Sequence, residues 1–92
     1  MSNIHRKTVT IINELGLHAR AATLFVKVAA DFKAELVVEK GGREVNGKSI
    51  MGLLTLLAAK DSQIELIADG ADGAEQIAAL EALIQNRFME DR

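Results

Sequence analysis

Ala34-Glu35-Leu36-Val37-Val38-Glu39-Lys40-Gly41-Gly42-Arg43-Glu44-Val45-Asn46-Gly47-Lys48-Ser49 admits two readings, and the choice between them decides the fold. By periodicity, Ala34 to Glu39 alternates with Leu36 and Val38 facing inward, and Arg43 to Asn46 follows after only Gly41 and Gly42. Alternation is the signature of a half-buried strand, and a glycine pair supplies the positive φ angles of a tight hairpin. The segment then forms two adjacent antiparallel strands. By motif, Gly42 to Ser49 satisfies the phosphate-loop pattern G-x-x-x-x-G-K-[ST], and an apolar strand ending in Asp69 can pose as the source of a magnesium-binding acid. Such a loop needs a parallel sheet with helical crossovers, whereas this one begins in a hairpin turn and the chain is too short to complete that core. We therefore take the hairpin reading. A small nucleotide-binding enzyme stands as a rival that a test of ATP binding would detect.

Upstream, Arg6 to Ile12 alternates with Val9 and Ile11 opposite Thr8 and Thr10, and Asn13 to Gly16 carries turn chemistry. His5, at the start of this strand, is expected to be solvated. Ala19 to about Ala30 sets Ala22, Phe25, Val26 and Ala29 at helical spacing, with Leu24 and Val28 on the opposite, exposed side. Downstream, Ser49 is placed to cap a helix over Ile50 to Ala58. Leu53, Leu56 and Leu57 make its core stripe, and Ile50, Met51 and Leu54 lie on another side. Ser62 to Asp69 alternates with Ile64, Leu66 and Ala68 inward. Asp72 and Glu75 have capping-box spacing ahead of a last helix whose inner face carries Ile77, Leu80, Ile84 and Phe88. The order βαββαβα predicts an α+β fold, with helices on one face of an antiparallel sheet and the other face open.

Bulk properties narrow the function classes. A chain of 92 residues is one domain, spanning 1–92, and buries roughly 60% of its unfolded surface. Cysteine is absent, which excludes disulfides, thiolate metal sites and thiol catalysis. A net charge of −2 and three aromatics, all phenylalanine, provide neither the basic footprint nor the stacking platform of a nucleic-acid binder. No apolar stretch approaches the ~20 residues of a membrane span and no cleavable leader is evident, so a cytoplasmic protein without membrane contact is expected.

Chemistry concentrates at Gly16-Leu17-His18-Ala19-Arg20-Ala21. A helix starting at Ala19 leaves its first backbone N–H groups without intrahelical partners, pointing toward His18 at the N-cap. Such an end favours an anion by roughly 0.3–1 kcal/mol, and Arg20 can add charge-assisted hydrogen bonds to phosphate oxygens. An ordinary imidazole titrates near pH ~6.5, so at neutral pH one ring nitrogen keeps a free lone pair. The site is able to carry a phosphoryl group on a labile phosphorus–nitrogen bond, which suits a relay better than a store. A histidine here is also, more simply, a weak cap or a surface residue.

The run Gly16 to Thr23, followed by Val45-Asn46-Gly47-Lys48-Ser49-Ile50-Met51-Gly52-Leu53, resembles the HPr family, the phosphocarrier proteins of the bacterial phosphotransferase system. The likeness extends from about Lys7 to Leu83. It implies an HPr-like open-faced two-layer sandwich with sheet order 1-4-2-3 and three helices on one face. It also implies that enzyme I, drawing on phosphoenolpyruvate, phosphorylates His18 at Nδ1, and that His18 delivers the group to a histidine of a IIA-type protein. Arg20 and the N–H groups of Ala19 and Arg20 would hold the phosphoryl oxygens. The resemblance further implies that no metal, nucleotide or other cofactor is needed and that the protein acts as a monomeric carrier rather than an enzyme. Leu24, Ile50, Met51 and Leu54 match positions of the docking surface shared by successive partners. Ser49 aligns with a serine that a dedicated kinase/phosphorylase modifies in some bacteria.

Two departures accompany the match. Many sugar-system members carry proline where this chain has Ala21, and alanine there is similar to the nitrogen-related NPr branch, leaving the sugar and nitrogen pathways as alternatives. The tail from Met89 to Arg92 differs from the usual family ending, so no role for a terminal carboxylate is carried over. A regulatory binding protein controlled by Ser49, with His18 idle, is the alternative function. The presence of both His18 and Arg20 argues against it.

Overall fold

Gly41 and Gly42 take positive φ angles of 58° and 87°, and Lys40 pairs with Arg43 across them, as a two-residue hairpin requires. Gly42 to Ser49 is therefore no phosphate loop, since Arg43–Asn46 lies in an antiparallel strand. The computed structural model describes residues 3–90. In chain order these form β1 (Ile4–Thr10), α1 (Ala19–Ala29), β2 (Glu35–Lys40), β3 (Arg43–Asn46), α2 (Ile50–Leu54), β4 (Gln63–Asp69) and α3 (Gly73–Gln85). A 3₁₀-type turn over Arg87–Met89 follows. The sheet order is β1-β4-β2-β3, every neighbour antiparallel.

Register explains which face is covered. Val9 pairs with Ile64, and Leu66 with Val38, so the inward residues of three strands stack in rows. Leu36, Val38, Ile64, Leu66 and Ala68 are buried, together with Phe25 and Ala29 of α1, Leu53 of α2, and Ile77, Leu80 and Ile84 of α3. Each large side chain so buried contributes about 1.5–3 kcal/mol relative to exposure. The α1 helix packs against both α2 and α3. Its buried stripe is Ala21, Ala22, Phe25 and Ala29, while Val26 is half-buried. Leu24 and Val28, expected to be exposed, are also half-buried against the core edge, because neighbouring helices cover a wider arc than one sheet face would.

The second helix is shorter than its apolar pattern predicts. Past Leu54, Leu56 donates to Leu53 O at 3.1 Å and Leu57 to Leu54 O at 3.3 Å, so the helix tightens into i→i−3 turns. Leu57 then adopts φ 52°, which turns it out to 81% exposure instead of into the core stripe. Phe88 is buried as predicted, but from the terminal turn and not from α3.

Asp72 does not form the predicted capping box. It makes no side-chain cap bond, and its carboxylate instead accepts from the Lys33 and Ala34 N–H groups, both at 2.8 Å, just before β2 begins. Gln76, wholly buried on α3, reaches the same corner and donates to Ala29 O at 3.0 Å. His5 is half-buried rather than solvated, with its ring edge close to Gly73. Among the described residues, no helix is long and apolar enough to cross a membrane.

The backbone N–H bond from Lys33 leads the effects on Asp72; burial opposes it, but the Ala34 N–H and the Lys48 charge help hold the carboxyl below its ordinary 3.8. A depressed carboxyl stabilises the fold above its unfolded value, and that stabilisation is lost as pH falls through the lowered folded value. Urea unfolding of wild type and Asp72→Asn should therefore differ at pH 7, with the gap closing below about pH 4; a gap unchanged at low pH would refute the carboxylate's role.

Gly16 sits at φ 67°, where an added Cβ would meet Ala58 O at 2.5 Å and Ala59 Cα at 2.9 Å. Gly16→Ala is expected to lower stability by about 2–3 kcal/mol in thermal or urea melts. A loss below half that would mean the loop shifts freely.

Candidate phosphoryl site

The turn before α1 is built from the backbone outward. Asn13 is wholly buried; its carbonyl accepts from Gly16 N at 3.2 Å and its Nδ2 donates to Gly16 O at 2.8 Å. Leu17 N–H then donates to Ala58 O at 2.9 Å, which ties this turn to the segment after α2. His18 follows as the N-cap in extended conformation (φ −81°, ψ −178°). Its carbonyl receives the Ala22 N–H at 2.8 Å, but its ring makes no cap bond. The imidazole is thus left free for other contacts, at 26% side-chain exposure.

Ala19 and Arg20 form the first turn of α1, and both are exposed. Their N–H groups have no preceding helical carbonyl to bond, so the helix end presents donors and a partial positive charge beside the ring. The ring itself is engaged by a residue 72 positions away: Glu90 Oε2 lies in short hydrogen-bond contact with His18 Nε2. Glu90 Oε1 accepts from Asn13 Nδ2 at 3.1 Å. Burial pushes the Glu90 carboxyl up, but hydrogen bonds from His18 and Asn13, with the charges of His18 and Arg20, outweigh it and leave the group below its ordinary 4.5.

Glu90 arrives there at a backbone cost. Arg87, Phe88 and Met89 have φ of 53°, 54° and 62°, three consecutive left-handed residues without a glycine. Each such residue costs roughly 1–2 kcal/mol, offset in part by Phe88, whose ring is fully buried.

An apolar depression of about 310 Å³ adjoins the imidazole, lined by Leu15, Leu17, His18, Leu54, Leu57, Ala58 and Ala59. Of the residues expected at a docking surface, Leu54 lines it, while Ile50 and Met51 are exposed on α2, Met51 at 72%. Leu24 is half-buried in the helix packing. Leu15 and Leu57, both strongly exposed, were not anticipated. Ser49 caps α2 as predicted, its Oγ accepting from Gly52 N at 3.0 Å. It stands at the opposite end of α2 from Leu54, about 7.5 Å along the helix at 1.5 Å per residue. A larger depression of about 490 Å³ between β2 and β3 has Glu35, Glu44 and Lys48 in its wall and shares no residue with the His18 surroundings. Among the described residues, no cluster of three or more histidine, aspartate or glutamate side chains could hold a metal ion.

Asn13 and Glu90 are the site residues that sequence reasoning missed. Asn13 was visible only as turn chemistry. No local pattern around Glu90 points to a residue so distant in the chain.

Similarity to known proteins agrees with this geometry. The family model described as "PTS HPr component phosphorylation site" matches residues 5–86. The phosphocarrier protein HPr of Neisseria meningitidis serogroup A is 53% identical over 85 residues, covering 92% of this chain and 96% of that protein. A crystal structure of HPr-C-His from Thermoanaerobacter tengcongensis superposes with a TM-score of 0.92 at 42% identity, covering 96% of this chain and 99% of the other. A structure described as the HPr dimer of the same organism has a TM-score of 0.76 at 44% identity, over 89% of this chain and 94% of that one. The chain belongs to the HPr family, the phosphocarriers, not catalysts, of the phosphotransferase system.

Proposed function

We propose that this chain accepts a phosphoryl group on His18 Nδ1 from phosphorylated enzyme I and passes it to a histidine of a IIA-type protein. The observation that carries the reading is the imidazole standing at the N-terminus of α1, beside the Ala19 and Arg20 N–H groups, which have no intrahelical carbonyl to bond, inside the segment matched by the family's phosphorylation-site model. In the transfer, the Nδ1 lone pair attacks phosphorus, the bond from phosphorus to the donor breaks, and its electron pair returns to the donor. The phosphoryl oxygens gain negative charge next to the helix end and the Arg20 guanidinium, which favours the loaded state. Stabilisation there is modest, so the group can leave again. The chain works as a cytoplasmic monomer in this reading, with no metal or nucleotide of its own.

The apolar depression beside His18, with Leu15, Leu54 and Leu57, and the exposed Ile50 and Met51 of α2, supports short-lived docking of successive partners on one face. Methionine is adaptable enough to fit several of them. Regulation at Ser49 by a kinase/phosphorylase is a second level of the same proposal. Its hydroxyl is the cap of α2, so a phosphate there would keep the helix N-terminus occupied while adding about −1.5 to −2 charge next to Ile50 and Met51. Partner docking would then weaken through charge, with the fold intact.

Intact mass after incubation with enzyme I and phosphoenolpyruvate tests the main claim. One acid-labile phosphate is expected on wild type and none on His18→Ala. No phosphate from enzyme I of either the sugar or the nitrogen branch would refute it and favour a Ser49-controlled binding protein. For the regulatory level, Ser49→Asp is expected to slow phosphate uptake from enzyme I by about tenfold while leaving the melting temperature near that of wild type. An unchanged rate would remove Ser49 from the docking face.

A further inference from the structure

The Glu90 carboxylate is held at both oxygens. Oε2 contacts His18 Nε2, and Oε1 accepts from Nδ2 of the buried Asn13, whose amide is itself fixed on the Gly16 carbonyl. The Glu90 side chain is only 12% exposed, although it is the last of the described residues. Three left-handed residues and the buried Phe88 ring bring it there. A frayed tail would not adopt such an arrangement.

The contact bears directly on tautomer. An ionised carboxylate only accepts hydrogen bonds, so a neutral imidazole in this contact must keep its proton on Nε2 and its lone pair on Nδ1. We propose that Glu90 is a positioning residue for phosphoryl transfer, its carboxylate, fixed by Asn13, holding the His18 proton on Nε2 so that Nδ1 presents its lone pair to the donor. This role rests on the reading of His18 as phosphoryl acceptor. As the Nδ1–phosphorus bond forms and the donor bond breaks, the Nε2 proton stays in place and no proton has to leave the site. The ring then carries a positive charge, which the Glu90 carboxylate offsets at hydrogen-bond distance. A histidine oriented by a carboxylate through its second nitrogen uses the same logic as other carboxylate–imidazole pairs, where the acid sets the tautomer and balances the charge that develops on the ring. The charge of Arg20 adds to the effects that hold the Glu90 carboxyl below its ordinary range.

Two variants and two readouts test the assignment. In ¹⁵N-labelled unmodified protein, the His18 Nε2–H is expected as a resolved, slowly exchanging proton signal in wild type and in Glu90→Gln, whose amide oxygen still accepts, and to vanish in Glu90→Ala. Rapid-quench uptake of phosphate from phosphorylated enzyme I should be about tenfold slower in Glu90→Ala, with Glu90→Gln also slowed because the charge is gone. The imidazole signal does not depend on phosphorylation and a purely structural tail would not govern it. An Nε2–H signal unchanged in Glu90→Ala overturns the proposal. So does uptake at or above the wild-type rate in both variants, the faster result marking Glu90 as a cover over the acceptor. If wild type itself takes up no phosphate, the phosphocarrier reading of His18 fails and this role falls with it, whereas normal uptake with indifferent Glu90 variants removes Glu90 alone.

Discussion

A close approach of backbone to backbone, between Gly16–Leu17 and Ala58–Ala59, underlies everything at the His18 end of the molecule. Leu17 N–H donates to Ala58 O at 2.9 Å, and Gly16 passes so near that no side chain could be accommodated on it. The approach sets the direction in which the chain enters α1, and so fixes His18 as the N-cap residue. It also pins the segment leaving α2, which sets Leu54 and Leu57 beside the imidazole. The imidazole, a positive helix end and an apolar depression thus share one support.

The early end of α2 has the same cause. A helix continued to Ala58 would keep pointing the Ala58 carbonyl along its own axis. Tight turns through Leu56 and a left-handed Leu57 free that carbonyl for Leu17 and turn the Leu57 side chain out to solvent. One conformational choice converts a core position into a surface one next to the site. The C-terminal turn works similarly: consecutive left-handed residues are unfavourable in themselves, and Phe88 burial together with the Glu90 contacts to Asn13 and His18 is what holds them.

Elements governed by local periodicity were legible in the sequence. The four strands, the Gly41–Gly42 hairpin, α1 and the Ser49 cap follow from alternation, helical spacing and turn chemistry, and the antiparallel hairpin was enough to dismiss the phosphate-loop pattern. The HPr resemblance supplied the strand order, which hydrophobic pattern alone does not determine. Long-range competition for polar groups was not legible. Asp72 has capping-box spacing, yet its carboxylate serves Lys33 and Ala34, some forty residues back. Leu57 fits a helical stripe, yet a carbonyl needed elsewhere ends the helix before it. At the site, His18 and Arg20 could be singled out because their neighbours in sequence are their neighbours in space. Glu90 could not, because only the finished fold brings the tail back against α1 and onto the imidazole.

The central claim, that His18 Nδ1 is the phosphoryl acceptor while Nε2 remains bonded to a carboxylate, is tested most directly by ³¹P and ¹⁵N NMR of the phosphorylated chain. The account predicts a single phosphorus coupled to His18 Nδ1, with Nε2 still protonated. Phosphorus from enzyme I coupled to Nε2, which would require Glu90 to be displaced, or transferred by enzyme I to any side chain other than His18, would contradict it.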